Sequence, residues 1–212
     1  MASARRIGAE TSKTRDVLLD AVEKLMLSDG YAAVTYRAVA AKAGVTSGLV
    51  QYYFPTLDGV FLAAIRRRSG QNLERLTAAL QARPDEPLRV LWEYSQEEST
   101  AALTTEFLAL GNHRKSIRSE IAEVSEHVRK LQIDALANRT NPDQTTFAGL
   151  TPGALLFLIT GIPKLVRLEE GVGMKTAHSD ILEFFEHYLA DAEPQPTNGS
   201  PKGRPKAKRS SS

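Results

Sequence analysis

The segment AGVTSGLVQYYF, residues 43–54, sets polar side chains and two glycines just ahead of three consecutive aromatics. Read as a short helix, it divides by angle. Val50 and Phe54 lie four apart and share a face that packs inward, leaving Ser47, Gly48, Gln51 and Tyr52 on the accessible side. Gly44 permits a turn that a residue with a side chain resists, Val45 packs that turn on the core, and Gly48 lets the backbone approach a partner closely. A compact helix with polar groups at its start, reached through a glycine turn from another short helix, describes a helix-turn-helix. In that motif the last helix enters the DNA major groove with its N-terminal residues facing base edges.

The elements that must hold this segment are helical. Apolar Leu18, Ala21, Val22, Leu25 and Met26 recur at helical spacing over residues 14–29, and Gly30 is placed to end that helix. Thr35 caps a second helix over 36–43, whose small face allows close packing, and Thr46 or Ser47 caps a third through Tyr53. Pro55-Thr56 forces a turn before a long fourth helix over 57–82. Pro87 then starts a run to about residue 110, and a further helix covers about 115–139. Residues 140–153 read as a loop, Thr151-Pro152 opens a helix to about 170, and the last helix spans about 176–192. No stretch alternates with period two long enough to make a strand.

The pattern over residues 14–65 resembles the TetR family of bacterial one-component transcription regulators. It is carried by Gly30-Tyr31, by Thr35 before Val39-Ala40, by Ala43-Gly44-Val45-Thr46-Ser47-Gly48 and by Tyr53-Phe54. The resemblance implies an all-α protein of about nine helices, the first three binding DNA and a larger C-terminal helical domain binding a ligand and dimerising. It implies repression, relieved when a small molecule docks in the C-terminal domain. It places Thr35 and Arg37 near the DNA backbone and Thr46, Ser47, Gly48, Gln51 and Tyr52 on the recognition surface, with Tyr36 and Tyr53 in the same DNA-facing set. Two positions depart from the family habit. Gln51 stands where tyrosine is common and can pair with adenine N6 and N7. Leu57 stands where lysine is common, which takes away a side-chain phosphate contact, although the backbone N–H groups of that helix N-terminus can still hold a phosphate.

Charge is unevenly spread. Of 27 basic and 25 acidic residues, five bases and no acid fall in residues 194–212, leaving 22 basic against 25 acidic elsewhere. The tail is rich in Pro, Gly, Ser and Lys without large apolar side chains, so the sequence predicts disorder when it is unbound. Within it Lys202, Arg204 and Lys206 flank or form a Gly-Arg-Pro core that resembles the AT-hook, an extended minor-groove binder. A nonspecific phosphate-binding tail explains the same residues. The domain reading is therefore a flexible basic arm over 1–13, a helix-turn-helix domain over 14–56, a regulatory and dimerisation domain over 57–193 with its connecting helix at 57–82, and a basic tail over 194–212.

In the C-terminal part the helix from Pro152 is apolar nearly all round, and Ile181, Phe184, Phe185 and Tyr188 make a wide stripe on the last. The resemblance makes helices 152–170 and 176–192 the expected homodimer interface, and a reader of a palindrome needs two copies roughly 34–36 Å apart. An unidentified small-molecule effector is expected, and Trp92, Tyr94, Phe107, His113, His127 and Phe157 either line its cavity or form plain core. Gly161 and Pro163 within one helix suggest a bend.

Catalysis is not expected. EVSEH and EFFEH set Glu and His four apart, but neither the Glu-x-x-His of di-iron bundles nor the His-x-x-x-His of zinc proteases occurs. No cysteine is present, no cofactor is predicted, and ALLFLITGIP is shorter than the roughly 18 residues that span a bilayer. The reading is a cytoplasmic, nucleoid-acting DNA-binding regulator, with an architectural protein using its tail on A·T-rich DNA as the alternative.

Overall fold

A computed structural model describes residues 2–138 and 150–193, and these are helical throughout, with no strand among them. Three short elements follow the first long helix: α1 (Ala2–Asp29), a 3-10 turn (Tyr31–Ala33), α2 (Tyr36–Ala43) and α3 (Ser47–Tyr53). Longer helices complete the chain: α4 (Leu57–Ala82), α5 (Pro87–Ser95), α6 (Glu98–His113), α7 (Lys115–Ala137), α8 (Pro152–Gly171) and α9 (His178–Ala192). The all-α reading, with about nine helices, agrees with this order. The tail residues Lys202, Arg204 and Lys206 lie outside the described residues, as does most of the 140–153 loop.

Two apolar cores organise the fold. The first joins Leu18, Val22 and Met26 of α1 to Val39 of α2, Val50 of α3 with Phe54 at its end, and Phe61 and Ile65 of α4. It extends beyond α4. Leu103, Phe107 and Leu110 of α6 and Ile117 of α7 belong to the same cluster. The second core gathers Leu76, Leu88, Leu91, Trp92, Leu155, Ile159, Phe185 and Leu189. Each such side chain taken out of water contributes about 1.5–3 kcal/mol, so both clusters fix helix placement strongly.

Three boundaries differ from the sequence reading. The helix expected from Thr14 begins at Ala2, so residues 2–13 continue α1. Once the Leu18–Met26 stripe anchors α1, each preceding residue adds a hydrogen bond without a new nucleation cost, and no proline interrupts it. The run from Pro87 is two helices, broken at Gln96 and Glu97. No glycine or proline marks that break; long-range contacts hold it. The Arg167 guanidinium donates to the Gln96 carbonyl, and Glu97 pairs with Arg75 at 2.6 Å. Finally, α9 starts at His178 instead of 176, because Ala177 takes a left-handed conformation, φ 65°. His178 then meets Glu169 of α8 at 2.7 Å.

Pro163 lies inside α8 and has no N–H for the Ile159 carbonyl. The Ser95 hydroxyl, buried at the end of α5, stands 3.2 Å from that carbonyl and 2.7 Å from the Trp92 carbonyl. A further long-range cap closes the chain on itself. The buried Glu193 carboxylate accepts from the Leu88 and Arg89 N–H groups at 2.8 and 2.9 Å, satisfying the start of α5.

Candidate nucleic-acid interface

The helix-turn-helix is built by capping. The Thr35 hydroxyl accepts from the Ala38 N–H at 3.1 Å and starts α2. Gly44 ends it at φ 70°, ψ 33°, the left-handed region that glycine occupies without strain, and the Val45 N–H then donates back to the Ala40 carbonyl at 2.9 Å. Thr46 caps α3 by accepting from Leu49. Of the two candidates for this cap, Thr46 fills the place and Ser47 becomes the first helical residue.

Val50 and Phe54 are buried, as their shared face predicts, while Thr46, Gly48, Gln51 and Tyr52 are exposed and Ser47 is half-buried. The three aromatics have three fates. Phe54 enters the core, Tyr53 packs half-buried against it, and Tyr52 stands 78% exposed with its ring edge-on to Tyr53. Tyr36 serves the fold as well: its hydroxyl donates to the Phe54 carbonyl at 3.1 Å and staples α2 to the end of α3. Arg37 is exposed on the outer side of α2. Leu57 is partly buried against the first core, which gives an apolar side chain at that position a packing reason.

Gly48 lies inside α3 with ordinary helical backbone, and a Cβ built on it meets nothing within 4 Å. Neither backbone conformation nor internal crowding requires glycine there. Glycine within a helix costs up to about 1 kcal/mol relative to alanine, so the small residue favours close approach from outside.

A second site lies in the C-terminal part. A cavity of about 500 Å³ takes Ile65 and Phe107 from the first core and Leu156 from the second, with Tyr94, Arg129 and Lys164 on its wall. This volume is in the range of small-molecule sites. Burial pushes the Tyr94 phenol up to about 12, and its hydroxyl donates to the Asn72 carbonyl at 3.2 Å. Of the aromatic candidates, Tyr94, Phe107 and Phe157 line the cavity. Trp92 is core: it stacks on Phe185 at 5.1 Å and donates to Glu186 at 2.7 Å. His113 is exposed beside Tyr31, and His127 lies in a separate shallow groove with Glu123 and Glu126. Sequence reasoning did not find Arg118, Arg129 and Lys164. Arg118 and Arg129 fall on one face of α7, but charges at helical spacing ordinarily mark a solvated face.

Residues 18–64 match the family model described as bacterial regulatory proteins, tetR family. The matched stretch, which runs from α1 into α4, is similar to the N-terminal domain of that family. Over 142 residues it is 28% identical to the HTH-type transcriptional repressor BepR of Brucella suis, a match spanning 63% of this chain and 66% of that repressor. In fold it is similar to a Saccharomonospora viridis protein crystallised in complex with choline, with TM-score 0.69, 17% identity, and coverage of 83% of this chain and 97% of that one. It is also similar to the multidrug binding protein EbrR, solved with imidazole and with malachite green. In the imidazole complex the TM-score is 0.56 and the identity 28%, covering 87% of this chain and 97% of that chain.

Polar bridges join the helix-turn-helix and α4 to the helices around the cavity. Glu106 of α6 accepts from the Tyr31 N–H at 2.7 Å. At the start of α4, Asp58 pairs with Arg114 and accepts from the Ser116 hydroxyl at 2.8 Å. The hydrogen bonds from Ser116 and Arg114 hold the Asp58 carboxyl below its usual range. Further along α4, Arg66 grips Glu120 of α7 through two hydrogen bonds of 2.8 and 2.7 Å, and this holds the Glu120 carboxyl low as well. Among the described residues no group of three His, Cys, Asp or Glu is arranged to hold a metal, and no helix is long and apolar enough to cross a membrane.

Proposed function

We propose that this protein is a sequence-specific transcriptional regulator, a homodimeric repressor that leaves a palindromic operator when a small molecule fills the α4–α8 cavity. The carrying observation is the outer face of α3, where Ser47, Gly48, Gln51 and Tyr52 meet solvent on a helix started by the Thr46 cap and tied by the Tyr36–Phe54 staple to α2, which Thr35 caps. A rigid helix with small and hydrogen-bonding side chains outward suits base-edge reading in the major groove. Thr35, Tyr36 and Arg37 face the DNA backbone from α2 in this reading, and Thr46 and Tyr53 flank the recognition surface.

Two copies are needed, and α8 offers the surface. Leu158, Gly161, Leu165, Leu168 and Val172 fall on one face at alternating three- and four-residue steps, and Leu165, Leu168 and Val172 are 54%, 55% and 75% exposed. Phe184 of α9 adds a further exposed ring, and a Cβ on Gly161 would meet nothing within 4 Å. An apolar stripe of this kind on the two helices expected to dimerise is buried by a second copy.

The similar structures that hold choline or malachite green support a small-molecule effector for this chain, and the α4–α8 cavity offers it a place. Cavity and reader share α4 and α6, so a ligand that prefers one helix arrangement shifts reader spacing by as much as its differential affinity allows. Lys202, Arg204 and Lys206 add a second, weaker DNA contact at high effective concentration. The protein acts in the bacterial cytoplasm, on the nucleoid.

The test is retention of genomic fragments by the full chain and by a chain ending at residue 193. Retention of a few palindromic sites by both supports the regulator. Broad A·T-rich retention that disappears with the tail refutes it.

A further inference from the structure

The cavity wall carries a one-sided charge pattern. Arg118, Arg129 and Lys164 line it, and among the described residues no Asp or Glu does. Among the described residues no ion pair engages any of the three. Arg118 is nonetheless satisfied: it donates to the Gly111 and Asn112 carbonyls at 3.2 and 2.9 Å, at the end of α6 where helix carbonyls lack partners. Arg129 lies eleven residues further along α7, or about 16 Å at the helical rise, at the other end of the site. Its guanidinium sits over the Phe157 ring, 4.3 Å from the centroid. Lys164 approaches from α8. Burial, and then the Arg129 charge, push its amine below the usual lysine range, although the side chain as a whole keeps contact with solvent.

Two cations on a partly desolvated wall repel each other until an anion joins them. The remaining wall is apolar, with Ile65, Phe107, Val124, Val128 and Leu156 facing the same space. We infer that the cavity takes an amphipathic organic acid, its carboxylate held between Arg129 and Lys164 and its hydrocarbon body laid along Phe107 and Leu156. Arginine and lysine converging from two helices make charge-assisted hydrogen bonds to a carboxylate, while a quaternary ammonium meets two like charges and no counter-charge. The inference rests on the reading of this cavity as the effector site.

The test is calorimetric titration of the full chain with three probes of equal chain length: decanoate, decanol and decyltrimethylammonium. Decanoate binds at least about tenfold more tightly than the other two, the equivalent of one charge-assisted hydrogen bond. In the double variant Arg129→Gln, Lys164→Gln that preference disappears while decanol binding stays, which also certifies the fold. Equal affinity for all three probes, preference for the cation, indifference to the double substitution, or no uptake of decanoate overturns the inference. DNA binding without any probe is scored in parallel. A chain that holds its palindromic site yet ignores decanoate loses only the ligand class, whereas loss of specific DNA binding sinks the regulator reading itself.

Discussion

The carboxylate of Glu106 accepts a 2.7 Å hydrogen bond from the backbone N–H of Tyr31, across 75 residues of sequence. Tyr31 opens the short turn between α1 and α2, and Glu106 is one residue from Phe107, which lines the cavity. One turn of α6 therefore touches both the cavity and the frame of the helix-turn-helix. Replacing Glu106 by alanine leaves the Tyr31 N–H without this acceptor and lowers stability by about 1–2 kcal/mol in urea unfolding. It also shrinks the change in DNA affinity that ligand produces. An unchanged ligand response removes this bridge from the release mechanism.

Gly48 separates folding from binding. Alanine there meets no neighbour within 4 Å, so Gly48→Ala keeps or raises thermal stability by up to about 1 kcal/mol. The added methyl group obstructs the closest approach to DNA, and fluorescence anisotropy on the selected site records weaker binding by about tenfold, roughly 1.4 kcal/mol. Equal affinity for the alanine variant rules out close backbone approach at this position.

Ser95 stands in for the N–H that Pro163 lacks. Ser95→Ala leaves the Ile159 carbonyl without that hydroxyl in the interior, and the expected loss is about 1–3 kcal/mol by chemical denaturation. Pro163→Ala in the same background restores much of it, because alanine supplies the missing helical N–H. Additive losses in the double variant contradict this pairing.

Much of the reader was legible because its determinants are local. The glycine turn at Gly44, the threonine caps and the inward pair Val50 and Phe54 each depend on residues within four positions. The break at Gln96 was not, since its causes, Arg167 and Arg75, come from two other helices. The bond from the Tyr36 hydroxyl to the Phe54 carbonyl, 18 positions on, had no local signal either. Arg129 and Lys164 are 35 positions apart and become a pair only when α7 and α8 pack. Periodicity identifies a helix face without saying what that face meets.

Acid weakens the junction between reader and regulatory helices. Hydrogen bonds hold the folded pKa of both Asp58 and Glu120 below the ordinary values of 3.8 and 4.5. Their contribution is complete above those values and is lost as pH falls through the lower folded ones. Stability measured by urea titration therefore declines below about pH 4.5, and Asp58→Asn flattens the decline. At neutral pH the same variant loses less than about 1 kcal/mol, because the Asp58–Arg114 pair is more than a third exposed. A decline of undiminished slope in Asp58→Asn assigns the acid sensitivity elsewhere.

The apolar stripe on α8 predicts its own disruption. Leu165→Glu with Leu168→Glu places like charges on the proposed dimer surface and yields a monomer in sedimentation analysis. Both side chains are about half exposed in the single chain, so the monomer keeps its helical content. It loses affinity for a palindromic duplex while single half-site binding is spared. A dimer that survives both substitutions moves the interface to another face.

The most direct test of the account is competition between the selected palindromic duplex and a scrambled duplex of equal length, for the wild-type chain and for Gln51→Ala. The account predicts strong wild-type preference for the palindrome. The variant loses about 1–3 kcal/mol of that preference with the scrambled affinity unchanged, as expected when one base-reading side chain is removed. A wild-type chain that binds both duplexes equally, or a preference untouched by Gln51→Ala, contradicts the account of α3 as the reader.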